Sequence, residues 1–303
     1  MMLSKEKNDK KIVIISGATA CGKSDLAMKL AQKKDVAIIN ADSLQIYQGL
    51  PILSSQPSNA DQKKVKHFLY SHFSPSQNSS VGIWLNLTKD AVEKCWKSQK
   101  TPVIVGGSGM YLSKLVDGIS TIPEILPEFR NESRQLYDKI GHENFQKKLI
   151  ELGEDEILDK QRLTRAYEVL CQTGKSIFWW QNQPLVKIFD EANFVHVNLN
   201  PSREKIYQNC NSRFEQMLKN GAIEEVQNLL NQGINNKMQI TKTLGFAEIC
   251  DFLLGKKNKE KIIEISTQKT RNYAKRQLTW FRHQMPQKLV FTEQSEALNF
   301  LLK

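Results

Sequence analysis

Residues 17 to 24 read GATACGKS, the spacing G-x-x-x-x-G-K-[ST], between the apolar run KIVIIS and the helical pattern SDLAMKLAQKK. Gly17 and Gly22 let the backbone N–H groups of the loop between them (Ala18, Thr19, Ala20, Cys21) turn inward around a phosphate. Lys23 adds a point charge and the following helix N-terminus a partial positive one. Ser24 carries a hydroxyl able to ligate a magnesium ion that bridges phosphate oxygens. The pattern predicts a phosphate-binding loop and leaves open which phosphate it holds.

Two further loops follow short apolar runs. DSLQ, residues 42 to 45, comes just after VAIIN, and GGSGMY, residues 106 to 111, overlaps the end of PVIVGG. In open α/β proteins, loops at the carboxyl ends of parallel strands share the sheet edge where ligands bind. Asp42 can there ligate magnesium, act as a general base, or simply cap the next helix. The glycines of the second loop allow close backbone approach, and Ser108 offers a hydroxyl. An anion cradle, a carboxylate and a hydroxyl on one edge form a candidate active site. Arg213 stands in a helical stretch beside Phe214 and near Met217 and Leu218. Such an arginine either pairs with a carboxylate or reaches the sheet edge to clamp a diphosphate with its planar fork.

The end of the chain is basic. Between Lys256 and His283 there are nine Lys and Arg against two Glu, and TRNYAKRQLTWFRHQ interleaves charge with Tyr273, Trp280 and Phe281. Helical spacing puts Arg271, Lys275 and Arg282 near one line, with Tyr273, Gln277 and Trp280 roughly opposite. One side can meet phosphates while the other packs, and Trp280 is expected in the core. Arg162 and Arg165, in QRLTR, lie one turn apart on another helix; alone they read as a surface pair.

The elements that must position these residues alternate. KIVIIS, VAIIN and PVIVGG are short apolar runs separated by helical patterns, which predicts an α/β fold with a parallel sheet. From about Asp117 to Asn193 helical, charged stretches replace strands, and FVHVNLN, ending at Asn200, returns to the sheet. A core over residues 11–116 and 194–303 with a helical insertion over 117–193 is therefore expected. Helices ending at Gly221 and Gly233, where glycine suits a left-handed cap, and a long one from about Lys259 to Gln284 complete the pattern.

The whole chain sets the outer limits. Its 303 residues can bury a full core, and 25% charged against 40% hydrophobic residues exclude global disorder. A net charge of +11, from 43 Lys and Arg against 32 Asp and Glu, favours a polyanionic partner. No apolar run approaches the roughly 20 residues a bilayer span needs. MMLSKEKNDKK leads straight into a strand rather than a signal-peptide core, so a cytoplasmic protein is expected. Cys21, Cys95, Cys171, Cys210 and Cys250 show no CxxC pair or zinc-type spacing and read as reduced, mostly buried thiols.

GATACGKS, DSLQIY, GGSGMYL, QRLTRAYEV with TGKSI, RFEQMLKNG, QITKTLGFAE and KTRNYAKRQLTWFR, in this order, resemble the tRNA dimethylallyltransferases, also called tRNA isopentenyltransferases. The likeness runs from about Lys11 to Gln284. It implies a P-loop NTPase-like core and transfer of a dimethylallyl group from dimethylallyl diphosphate to the N6 amino group of the adenosine beside the anticodon, tRNA position 37. By the same resemblance Asp42 is the general base, and Ser108 stands where threonine is usual. Gly17 through Ser24, with Arg213, surround the diphosphate, and Mg2+ sits on Ser24. The tRNA-contacting residues it implies are Ser43, Leu44, Gln45 and Arg130, then Gln161, Arg162, Leu163, Thr164 and Arg165. The remainder are Lys242, Thr243, Leu244, Gly245, Phe246 and Ala247, followed by Lys275, Arg276, Gln277, Leu278, Thr279, Trp280, Phe281 and Arg282. The helical insertion corresponds to the family's tRNA-gripping domain, and a bacterial-type enzyme acting as a monomer is expected. Ala18 and Cys21 replace the common proline and serine or threonine. ILSSQP, residues 52 to 57, replaces an IGTAKP-like stretch.

Without the resemblance the motifs also fit an ATP-dependent small-molecule kinase with Asp42 on magnesium. The charge pattern alone fits a non-catalytic RNA-binding protein.

Overall fold

The apolar runs become the middle of a sheet because a strand flanked by two parallel neighbours and covered by helices on both faces has no solvent side. In the computed structural model, which describes residues 10–157, 159–285 and 288–303, the strands are β1 (Lys11–Gly17), β2 (Val36–Asn40), β3 (His67–Phe68), β4 (Thr101–Gly106), β5 (Asn193–Leu199) and β6 (Leu289–Phe291). Their order is β3-β2-β4-β1-β5-β6, all pairs parallel. Val13 faces Val103 on one side and Val195 on the other. All of β2, and β1 beyond Lys11, is buried.

Helices α1 (Lys23–Ala31), α2 (Asn59–Lys64), α3 (Val81–Lys97) and α4 (Gly109–Asp117) connect the first strands. After β5 come α8 (Arg203–Lys219), α9 (Ala222–Asn231), α10 (Phe246–Leu253), α11 (Lys259–Gln284) and α12 (Gln294–Leu302), numbered after three helices of the insertion. Their starts are legible in side chains that accept the open amides: Ser80 from Ile83, Ser202 from Lys205 and Asn258 from Lys261. The expected glycines do cap: Asn220 and Gln232 end α8 and α9, followed by Gly221 at φ 107 and Gly233 at φ 78. Leu26, Leu30, Val103, Val105, Val197, Ile206 and Ala274 belong to one core around the sheet.

The chain divides into two compact units. The larger holds the sheet and comprises the chain up to Val116 together with Ile188–Lys303; the smaller is Asp117–Lys187. Its ends meet in an antiparallel bridge, Ile119 N–H to Val186 O at 3.1 Å and the reverse at 2.9 Å. Within it lie α5 (Pro127–Glu151), α6 (Lys160–Thr173) and α7 (Ile177–Gln181), around Phe145, Leu149, Leu163, Tyr167 and Ile177. Gly141, at φ 76, breaks α5 into two helices, and Gly174 at φ 65 ends α6. The unit closes at Lys187 rather than Asn193 because Phe189 packs edge-on against Trp96 and Phe194 of the larger unit.

Candidate active site

β1, β2 and β4 end side by side, and their loops build the site. Gly17 (φ 149) and Gly22 (φ 95) have backbone conformations open to glycine, and a Cβ on Gly17 would stand 2.5 Å from Leu199 O. Gly22 is also the N-cap of α1 and no side chain caps it, so the helix opens onto the loop. Lys23 Nζ donates to Ala18 O at 2.7 Å and lies 4.0 Å from Cys21 Sγ. Beneath the loop, Asn198 Nδ2 donates to Ser16 Oγ at 2.8 Å, and Ser16 Oγ is hydrogen-bonded with His196 Nε2 at 2.7 Å. Burial holds His196 down to about 4, so the imidazole is neutral near pH 7.

The β2 loop is shaped by its own polar side chains. Asn40 accepts from Asp42 N–H through Oδ1 and donates Nδ2 to Asp42 O and Leu69 O. Asp42 Oδ1 then accepts from Leu44 N–H at 2.9 Å and from Gln45 N–H at 3.4 Å. Asp42 thus lines the cavity and caps its own loop through Oδ1. Ser108 Oγ accepts from Ser43 N–H at 3.1 Å, and the cavity wall on this side is Val105, Gly106 and Gly107.

These loops face α8, α11 and residues 51–59 across a cavity of about 1160 Å³. Thr19, Lys23, Ser24, Asp42, Arg213 and Tyr273 all line it. Arg213 Nε donates to Ser55 Oγ at 3.1 Å and Nη1 to Thr19 Oγ1 at 3.3 Å. Among the described residues neither Arg213 nor Lys23 makes an ion pair. Burial lowers the Arg213 pKa, with Cys210 and the Asp42 carboxylate opposing it. Burial and Asp42 push the phenols of Tyr70 and Tyr273 up. No cluster of three His, Cys, Asp or Glu suited to a metal exists among the described residues. A magnesium ion would therefore take most of its oxygens from a bound phosphate, with the exposed Ser24 hydroxyl as the fitting protein ligand.

Sequence reasoning passed over three groups here. Ser55, at φ 56, holds Arg213; Asn209 donates to Ala20 O at 2.9 Å; and the Glu225 carboxylate accepts from Ile52 N–H at 2.7 Å and Leu53 N–H at 2.9 Å. Asn209 was findable, four residues before Arg213 on one helix face.

The RNA-facing expectation separates by burial. Arg130, Gln161, Arg162, Lys242, Ala247, Lys275, Arg276, Thr279 and Arg282 are exposed. Leu163, Thr164, Thr243, Gly245, Phe246, Gln277 and Phe281 are buried, because a contiguous motif wound on a helix turns part of itself into the core. Leu44, Gln45 and Leu244 line the cavity, whereas Leu278 packs against the sheet core. Arg165 is half-buried, 3.4 Å from Glu168. Trp280 is half-buried rather than in the core, its ring pressed on Gly109, where a Cβ would stand 2.1 Å away. On α11 a groove of about 660 Å³ is lined by Lys275, Arg276, Thr279 and Trp280. Cys171 is exposed, unlike the buried Cys21, Cys95 and Cys210.

A parallel sheet with a Walker-type loop at its edge defines a P-loop NTPase-like fold. The IPP transferase family model matches residues 45–284, and the chain belongs to that family. It is 42% identical over 294 residues to the tRNA dimethylallyltransferase of Ehrlichia chaffeensis, covering 95% of each chain. It is 41% identical to that of Wolbachia pipientis subsp. Culex pipiens, covering 91% of this chain and 93% of the relative. Among solved structures, the full-length tRNA isopentenylpyrophosphate transferase of Bacillus halodurans superposes with a TM-score of 0.69 at 27% identity, covering 96% and 95% of the two chains. A eukaryotic dimethylallyltransferase acting on tRNA gives 0.74 at 25% identity, covering 90% of this chain and 70% of that one.

Proposed function

We propose that this protein is a tRNA prenyltransferase that moves the dimethylallyl group of dimethylallyl diphosphate to the N6 amino group of the adenosine at tRNA position 37, releasing diphosphate. The carrying observation is the pair Lys23 and Arg213, two cations on the wall of the cavity that Asp42 lines, neither ion-paired with a carboxylate among the described residues. An unpaired arginine in a half-buried site is a place for an anion. Relatives of this chain at about 40% identity bear the name tRNA dimethylallyltransferase, which favours prenyl transfer over the kinase reading.

In this reading the amino nitrogen's electron pair forms the N–C bond to the allylic carbon, and the C–O bond breaks with its electrons leaving on diphosphate. The P-loop amides, Lys23 and Arg213 receive that charge. Asp42 takes the amino proton or orients it. Ser24 would hold Mg2+, which when bound would supply further neutralisation of the leaving group. The adenine leaves its stack to reach the cavity. The exposed bases of α11 and of the smaller unit meet RNA phosphates, and the protein acts as a monomer in the cytoplasm. No helix among the described residues is long and apolar enough to cross a membrane.

Asp42→Asn tests the assignment, because it keeps size and the loop hydrogen bonds while removing basicity. Single-turnover rate at saturating tRNA should fall by about 100-fold to 10,000-fold, with donor and tRNA affinity retained. A normal rate removes Asp42 from catalysis, and lost donor binding recovered at high magnesium makes it a metal ligand.

A further inference from the structure

Gln277 lies inside a segment whose neighbours Lys275 and Arg276 are exposed and basic, yet it is only 7% exposed and faces the other way. Its side chain spans two site loops. Oε1 accepts from the Thr19 N–H of the P-loop at 2.8 Å, and Nε2 donates to Gly107 O, before Ser108, at 2.9 Å. The fit is close on the far side: a Cβ on Gly107 would stand 2.3 Å from Nε2 and 3.2 Å from Gly17 O. A glutamine amide carries an acceptor and a donor at one side-chain end, so it meets a backbone N–H and a backbone C=O at once.

We infer that Gln277 is a positioning residue: it sets the spacing between the diphosphate-binding loop and the β4 loop, and it does not contact RNA. The inference rests on the prenyl-transfer reading for its kinetic consequence only. Thr19 is also the residue whose hydroxyl receives Arg213 Nη1. Holding the Thr19 amide therefore fixes the same short piece of chain that orients the arginine over the cavity. The cavity is built from loops on three strands and two helices, and hydrogen bonds of this kind are what keep such loops at productive distances.

Two substitutions separate the roles. Gln277→Leu removes both hydrogen bonds. Gln277→Glu keeps the acceptor for Thr19 N–H, but when ionised it turns a lone pair toward Gly107 O. When protonated it restores the donor. The titratable groups that share the cavity are Lys23, Asp25, Asp42, Cys210, Arg213 and Tyr273, so each rate is taken as a ratio to the wild type at the same pH. Burial would push the pKa of a carboxyl at this position up, while Lys23, Arg213 and the Thr19 N–H would push it down, so the pH at which the ratio turns reports their balance.

The measurement is donor kcat/KM from pH 6 to pH 8.5 beside tRNA Kd, and calorimetric binding of magnesium diphosphate, with thermal melts to establish folding. Gln277→Leu should lose about 100-fold in donor kcat/KM and weaken diphosphate binding, with tRNA Kd within about twofold. The Gln277→Glu ratio should rise as pH falls. Equal loss of tRNA affinity and donor use, wild-type donor kinetics in Gln277→Leu, or a flat Gln277→Glu ratio would each overturn the inference. Should the leucine variant melt below the assay temperature, the glutamate ratio decides alone. A wild-type protein that binds diphosphate but transfers no prenyl group fails the functional reading, and diphosphate binding by the two variants still decides Gln277.

Discussion

At the scale of single residues, the site is a set of side chains whose second hydrogen bonds fix where the first ones act. Arg213 is aimed by Ser55 and Thr19, and Ser55 is itself held by Gln45, whose Nε2 donates to Ser54 O at 2.8 Å and Ser55 O at 2.9 Å. The ILSSQP departure thus supplies the hydroxyl that receives the arginine. With no carboxylate at ion-pair distance from it among the described residues, Arg213→Ala should leave folding nearly unchanged. Donor kcat/KM should fall by about 100-fold to 1,000-fold, as for loss of one strong charge-stabilising donor, with tRNA Kd within about twofold. Steady-state kinetics and a filter-binding titration check it, and parallel loss of both would make Arg213 structural.

Elements bring those residues together through backbone approaches that leave no room for side chains. A Cβ on Gly106 would stand 2.1 Å from Ala41 O, at the crossing of the β4 and β2 ends that also sets the Ser108–Ser43 hydrogen bond. Its neighbour there is backbone, which cannot rotate away. Gly106→Ala should therefore destabilise the fold by about 1–3 kcal/mol and separate the two loops. A denaturant midpoint that does not move would show the crossing to be slack. Helices α1, α5, α6, α8, α9 and α11 and the four inner strands were legible because their caps and apolar runs are local signals. β3 and β6 were not: two and three residues long, with β6 carrying the exposed Leu289 and Val290, they exist only because a neighbouring strand offers an open edge.

For the whole molecule, the +11 charge and the exposed Lys275, Arg276, Arg282, Arg130 and Arg162 predict an RNA affinity dominated by counterion release. Raising salt from 50 to 200 mM should weaken tRNA binding on the order of 100-fold if about four phosphates are engaged. A nearly flat titration would remove the basic faces from RNA binding. Resemblance to the family supplied the candidate roles of Asp42 and Arg213, which their own segments leave open, whereas the sequence by itself determined the parallel α/β core, the phosphate cradle with Lys23 and the basic terminal helix. Each rests on spacing within one short segment, and local spacing survives without coordinates. Tertiary structure decided which residues of each motif are accessible, and that Arg213 meets Thr19 and Ser55 instead of a carboxylate. It also decided that Gln277 turns away from the basic face to join Thr19 to Gly107, residues separated from it by 258 and 170 positions. A hydrogen bond between such distant segments depends on where the sheet and helices place their ends, which composition and periodicity do not encode.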